Sequence, residues 1–124
     1  MTRLLDYGYI LGTIIFTVYG QFALKIRIGQ IGPLPATAFE KIIFLTKIIF
    51  DPIIFSGFVS AFLAALSWMA AMTKFDLSHA YPFMALNFVI VLILSGWLLN
   101  EPLSVSKIVG TTLIVIGTVV VARG

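Results

Sequence analysis

Four long apolar stretches alternate with short polar islands along the chain. They run from about residue 4 to 24, 52 to 73, 78 to 99 and 105 to 122. A helix that crosses about 30 Å of hydrocarbon, at about 1.5 Å of rise per residue, needs roughly 20 largely apolar residues. Each stretch meets that length. The pattern therefore predicts four transmembrane helices, which we assign to a single membrane domain covering residues 1–124.

Charged residues and helix breakers mark where the first two spans meet water. Lys25 and Arg27 appear before a segment rich in glycine and proline, residues 29–35, and predict an end near Leu24. The second span opens at Asp51-Pro52, where an N-cap residue precedes proline at the first helical position.

A fifth, shorter helix is predicted between the first two spans. Thr37 and Glu40 have the spacing of a capping box, and an amphipathic run continues to Phe50. We expect this helix, about residues 37–50, to lie in the headgroup plane instead of crossing the membrane. The predicted fold class is an all-α membrane protein: a four-transmembrane-helix bundle with an interfacial amphipathic helix between helices 1 and 2.

Composition supports lipid as the solvent and excludes several functions. Of the 124 residues, 60% are hydrophobic and 10% are charged. The net charge of +3 is scattered and includes no basic run, so we expect no nucleic-acid partner. There is no cysteine, and His79, the one histidine, has no cluster of further ligands near it in sequence. We therefore predict no metal, no cofactor and no catalytic site, which argues against an enzyme.

The first span carries a polar band. Thr13, Thr17, Gln21 and Lys25 recur at every fourth position and so lie near one face of a helix. The band either lines a cavity or bonds to neighbouring helices and its own backbone. Lys25, at its end, either meets a phosphate or acts as an anchor that extends to the headgroups.

The third span begins with an unusual polar and aromatic segment. Pro82 lies too far inside the span for an ordinary first-turn proline, so a kink or a loosened first turn is expected. Asn87 is costly in lipid unless it finds a partner. On a straight helix Tyr81 and Asn87 point about 120° apart, so they need not serve one site. Trp68, deep in the second span, is a candidate to flank a ligand.

Two glycines mark one face of the fourth span. Gly110 and Gly117 stand one heptad apart, and small residues let helix backbones approach closely in membranes. This face is a candidate contact between subunits. Packing within the monomer is the alternative.

Taken together, the motifs resemble a known superfamily. They are Val18-Tyr19-Gly20-Gln21 with Lys25, then Trp68, Ala80-Tyr81-Pro82, Leu86-Asn87-Phe88, Glu101-Pro102-Leu103-Ser104, and Gly110 with Gly117. The sequence is similar to the drug/metabolite transporter superfamily, with its EamA-like and small multidrug resistance-like members. Within it the sequence looks most like the small four-helix subunits of the undecaprenyl-phosphate-aminoarabinose flippase. The segment 32–50 departs from those subunits, which favours a sister flippase.

The resemblance implies a function and a set of site residues. It implies that a polyprenyl-phosphate-linked sugar or similar lipid crosses a bacterial inner membrane through a multi-pass homodimer or heterodimer. The head would meet Thr17, Gln21, Trp68, Tyr81 and Asn87, the phosphate would meet Lys25, and Gly110 and Gly117 would hold the subunits together.

Two other functions stay open at this stage. A small-cation exporter of the multidrug type would use a membrane-embedded glutamate in the first helix, and alignment on Gly20 and Lys25 places Thr17 at that position. A non-transporting scaffold subunit of a membrane glycosyltransferase system would need neither the polar band nor Asn87.

Overall fold

The computed structural model describes residues 2–124, with side chains described from Leu4 onward. Every regular element in that range is helical, and four helical stretches are long and apolar enough to cross a membrane, which confirms the predicted fold class. The third of these stretches is divided into three pieces. The elements are α1 (Thr2–Ile31), α2 (Ala38–Ile49), α3 (Pro52–Met72), α4 (Leu77–Ala80), a 3₁₀ segment (Tyr81–Ala85), α5 (Leu86–Leu98) and α6 (Val105–Arg123).

Helix α1 is longer than the sequence predicted. We expected an end near Leu24, but the helix continues to Ile31 and stops at Gly32, whose φ of 120° favours glycine. At 30 residues α1 is about 45 Å long, more than the hydrocarbon core requires. Lys25 and Arg27 mark where the apolar stretch ends and do not end the helix, because both residue types favour helix formation.

The starts of α2 and α3 follow their predicted caps. The Thr37 hydroxyl accepts a hydrogen bond from the Glu40 amide at 3.2 Å. Asp51 Oδ2 accepts from the amides of Ile53 and Ile54 at 3.1 and 3.2 Å, with Pro52 in the first turn. These bonds satisfy amides that the first helical turn leaves without partners.

Helices α1 and α3 pack closely along their length. Gly20 and Gly57 face each other at the crossing, where a methyl group added to Gly20 would stand 3.0 Å from the Gly57 carbonyl oxygen. The Ser60 hydroxyl donates to the Phe16 carbonyl oxygen across the same interface at 2.6 Å. Small residues and interhelical hydrogen bonds hold helices together where lipid removes the hydrophobic driving force between them.

Each end of the α1–α3 pair carries a polar connection. Arg27 forms an ion pair with Asp51, with 2.9 Å between Nη2 and Oδ1, and its Nε donates to the same oxygen at 2.9 Å. At the other end the hydroxyl of Tyr7 shares a hydrogen bond with Nε2 of His79 at 2.8 Å. Phe75 and Phe83 pack on this pair.

Thr118 is the buried residue of helix α6 and connects this helix to the 3₁₀ segment. Its hydroxyl hydrogen is shared between the Ile114 carbonyl oxygen at 2.9 Å and the Pro82 carbonyl oxygen at 3.2 Å. A methyl group added to Gly110 or Gly117 would meet nothing within 4 Å. Gly117 is exposed, whereas Gly110 is half-buried and lines a pocket of about 350 Å³ between α5 and α6.

Candidate functional site

A cavity of about 740 Å³ lies between α1, α3, the 3₁₀ segment and α5, with one contribution from α6. It brings together four of the six residues predicted to bind substrate. Its lining comprises Thr13, Thr17, Ala61, Ala64, Ala65, Trp68, Tyr81, Pro82, Met84, Ala85, Asn87, Phe88 and Ile114.

The 3₁₀ segment explains how Tyr81 and Asn87 come to line one cavity. A 3₁₀ helix has about three residues per turn, so each residue rotates by about 120° where an α-helix rotates by about 100°. Four 3₁₀ steps from Tyr81 to Ala85 and two α-helical steps to Asn87 leave the two side chains about 40° apart. The loosened first turn predicted from Pro82 is thus present, and it removes the separation of about 120° that a straight helix would impose.

The amide of Asn87 has an unused acceptor. Its Oδ1 is buried and finds no hydrogen-bond partner among the residues that the structure describes. A buried polar atom left without a partner costs about 1–3 kcal/mol. Asn87 lines the cavity although its Oδ1 is buried, so a rotation of the side-chain amide would bring this acceptor to a hydrogen-bond donor of a ligand.

Hydroxyl groups from α1 complete the polar side of the cavity. Thr13 is buried, and its hydroxyl donates to the Tyr9 carbonyl oxygen at 2.8 Å. Its oxygen is left with lone pairs that accept hydrogen bonds. Thr17 lines the cavity one turn further along α1. The band at every fourth position predicted Thr17 as a site residue, and Thr13 belongs to the same band.

The aromatic side of the cavity is formed by Trp68 and Tyr81. Their rings meet edge to face, with centroids 6.0 Å apart and planes at 77°. Rings that stand this way present a face and an edge to the cavity and do not form two parallel walls. Trp68 is half-buried and Tyr81 is exposed, so Tyr81 lies at the rim.

Gln21 and Lys25 do not line this cavity. They line a neighbouring pocket of about 180 Å³ together with Ser95 and Glu101. Lys25 stands eight residues beyond Thr17, a rise of about 12 Å along α1. The six predicted binding residues therefore fall into two groups: Thr17, Trp68, Tyr81 and Asn87 in the cavity, and Gln21 with Lys25 in the pocket.

The neighbouring pocket mixes both signs of charge. Glu101 is half-buried, and its backbone amide donates to the Ser95 carbonyl oxygen at 3.2 Å, which fixes the turn after α5 against that helix. Lys25 is exposed and forms no ion pair with Glu101 within 4.0 Å in the part of the chain described. The Lys25 ammonium is therefore free to meet an anion at this end of the bundle.

The ion pair between Arg27 and Asp51 was missed by the sequence analysis. The hydrogen bond from the Arg27 side chain lowers the pKa of the Asp51 carboxyl below its ordinary value, and the amides of Ile53 and Ile54 act in the same direction. Asp51 was predicted as an N-cap only. The spacing of Arg27 and Asp51 in the sequence does not predict their contact. The two side chains meet because α1 continues past Leu24 and brings Arg27 beside the start of α3.

Two kinds of comparison relate the chain to known proteins. The model of the EamA-like transporter family matches residues 7–123. A protein of Erwinia tasmaniensis, named probable 4-amino-4-deoxy-L-arabinose-phosphoundecaprenol flippase subunit ArnF, is 30% identical over 91% of this chain and 91% of its own length. The corresponding ArnF of Aeromonas salmonicida is 32% identical over 93% of this chain and 77% of its own length. A Pseudomonas aeruginosa protein, named as the ArnE subunit of the same probable flippase, is 27% identical over 92% of this chain and 94% of its own length. No solved structure matches.

Proposed function

Because the chain belongs to the EamA-like transporter family, we propose that it is one subunit of a flippase for a polyprenyl-phosphate-linked sugar or a related lipid. The chain is a multi-pass membrane protein of a transporter family and not an enzyme. The lipid class comes from relatives that are named as flippase subunits for an aminoarabinose carried on phosphoundecaprenol. The bacterial inner membrane, where such a lipid is flipped, is the proposed location.

The single observation that carries the proposal is the buried, unpartnered Oδ1 of Asn87, a residue that lines a cavity together with threonine, tyrosine and tryptophan side chains. Sugars are recognised by hydrogen bonds to their hydroxyl groups and by packing against aromatic faces. A purely structural subunit has no need of a buried acceptor without a donor, since such an atom destabilises the fold.

The two groups of predicted residues suit the two parts of the head. The sugar lies in the cavity against Thr17, Trp68, Tyr81 and Asn87, and the phosphate lies at Gln21 and Lys25 in the neighbouring pocket. A lysine ammonium binds phosphate as a point charge, and Lys25 is exposed at this end of the bundle. The isoprenoid tail remains in the bilayer throughout.

A dimer, of two copies or with a similar small subunit, fits this function better than a monomer. Four helices enclose little polar surface, and a methyl group added to Gly110 or Gly117 of helix α6 would meet nothing within 4 Å. Close approach of two such faces buries the glycines against a second helix. We therefore place the subunit contact on α6.

Native mass spectrometry of the protein in nanodiscs tests this function. The expected result is a dimer that carries a polyprenyl-phosphate lipid, and loss of that lipid when Lys25→Ala and Asn87→Leu are combined. The matched control combines Lys47→Ala and Gln30→Leu, which remove an ammonium and an amide outside both pockets and should leave the lipid bound. A lipid-free protein bound to an unrelated membrane enzyme would contradict the proposal and favour the scaffold function.

A further inference from the structure

The cavity has polar but no charged side chains in its lining. The lining residues with polar side-chain groups are Thr13, Thr17, Trp68, Tyr81 and Asn87, and the remaining ones are apolar. Among the described residues that line it there is no aspartate, glutamate, lysine, arginine or histidine. Within one subunit, the cavity therefore offers hydrogen bonds to a ligand but no counter-ion.

A charged head pays a large desolvation cost in such a place. An ion moved from water into a site of low dielectric constant is stabilised only by an opposite charge or by a full set of hydrogen bonds. The aromatic faces of Trp68 and Tyr81 attract a cation, but that attraction is smaller than the cost of desolvating the ion. A hydroxyl group loses far less on entering the cavity and can still exchange hydrogen bonds with the hydroxyl and amide groups of the lining residues.

The nearest ionisable side chains do not supply a counter-ion to a charged head in the cavity. Lys25 and Glu101 belong to the neighbouring pocket, with Lys25 about 12 Å beyond Thr17 along α1. Lys25 carries the same sign as an ammonium group and would repel one. Glu101 lies in the same pocket as Lys25, where the proposed phosphate is bound, and does not line the cavity.

We infer that this cavity selects a lipid whose sugar head is uncharged, and that it discriminates against a head carrying an ammonium group. The inference rests on the proposed function and specifies its substrate class. It separates this chain from the relatives named for an amino sugar, whose head bears a protonated amine at neutral pH.

A matched pair of ligands tests the inference. Farnesyl-phosphoryl-arabinose and its 4-amino-4-deoxy analogue differ in one group, a hydroxyl against an ammonium. Binding of each ligand to the wild-type protein in nanodiscs of zwitterionic lipid is measured by native mass spectrometry. Binding to the Trp97→Phe variant, which keeps Trp68 as its one tryptophan, is measured in parallel by fluorescence. We expect the hydroxyl ligand to bind at least about tenfold more tightly, or about 1.4 kcal/mol.

A charge introduced at Thr17 should reverse the preference. Thr17→Glu supplies the missing counter-ion and should strengthen binding of the amino ligand at least about tenfold, whereas the uncharged Thr17→Gln of similar size should keep the wild-type preference. Because the wild-type comparison stands alone, an unfolded Thr17→Glu protein does not remove the test.

The outcomes separate the inference from the function beneath it. Equal binding of the two ligands by the wild-type protein, or tighter binding of the amino ligand, overturns the inference and leaves the flippase function in place. If a folded dimer binds neither ligand, the proposed function fails and the inference fails with it.

Discussion

The contact between Gly20 and Gly57 predicts that one methyl group at the α1–α3 crossing destabilises the protein. In Gly20→Ala the new Cβ would stand 3.0 Å from the Gly57 carbonyl oxygen and 4.0 Å from the Ala61 amide nitrogen. Ordinary contacts of a Cβ begin at 3.4 Å, and the crowded atom belongs to the backbone, which cannot rotate away. The helices must therefore separate by a few tenths of an ångström along their main interface.

The size of the effect follows from two opposing terms. Overpacking of a close interface costs about 1–3 kcal/mol. Replacing glycine by alanine inside a helix returns about 0.8–1 kcal/mol. Gly8→Ala in the same helix is the matched control. Its new methyl group meets nothing within 4 Å, so this variant gains helix propensity without the overpacking cost. Both variants gain the same helix propensity, so the difference between their free energies of unfolding reports the overpacking cost alone. We therefore expect Gly20→Ala to be about 1–3 kcal/mol less stable than Gly8→Ala.

The assay is equilibrium unfolding of the detergent-solubilised protein by increasing SDS, followed by circular dichroism and Trp fluorescence. The free energies of unfolding of wild type, Gly8→Ala and Gly20→Ala are compared at one mole fraction of SDS. If Gly20→Ala is as stable as Gly8→Ala, the two backbones are not in contact at this crossing and the described packing of α1 on α3 is wrong.

Three further predictions address other contacts. Ser60→Ala removes the hydrogen bond to the Phe16 carbonyl and should cost about 0.6–1.7 kcal/mol in the same unfolding assay, whereas Ser60→Thr should cost less if it keeps the bond. Because Arg27 lowers the pKa of folded Asp51, the ion pair stabilises the fold above the unfolded pKa of about 3.9, and this stability is lost as pH falls through the folded pKa. Asp51→Asn keeps an N-cap residue and should reduce the loss of thermal stability between about pH 6 and about pH 3; an unchanged pH profile would contradict the role of the ion pair. Gly117→Ile should convert a dimer into monomers in native mass spectrometry while leaving the monomer folded, and an intact dimer would exclude this face of α6 as the contact.

Much of the fold could be predicted because lipid imposes strong local rules. Span length follows from bilayer thickness, and the caps at Thr37 and Asp51 follow from short-range hydrogen bonding. The end of α1 could not be located in the same way. The first charged residues, Lys25 and Arg27, indicate where the apolar stretch leaves the hydrocarbon core. The helix itself ends at Gly32, where the backbone adopts a positive φ.

The candidate site was only partly predictable. Thr17 and Asn87 could be found from their polarity within apolar spans. That Tyr81 joins them depends on the 3₁₀ segment, and that Lys25 lies in a separate pocket depends on how α5 packs against α1. Both are tertiary features, and a wheel drawn with α-helical periodicity does not represent them.

Uptake of a short-chain lipid analogue into sealed vesicles tests the flippase account most directly. Purified protein is reconstituted into liposomes, citronellyl-phosphoryl-arabinose is added outside, and the amount protected inside is measured over time. The account predicts uptake well above that of protein-free vesicles, with a large loss in Asn87→Leu although that variant folds and dimerises normally. Uptake no faster than in protein-free vesicles, or full activity of Asn87→Leu, would contradict it.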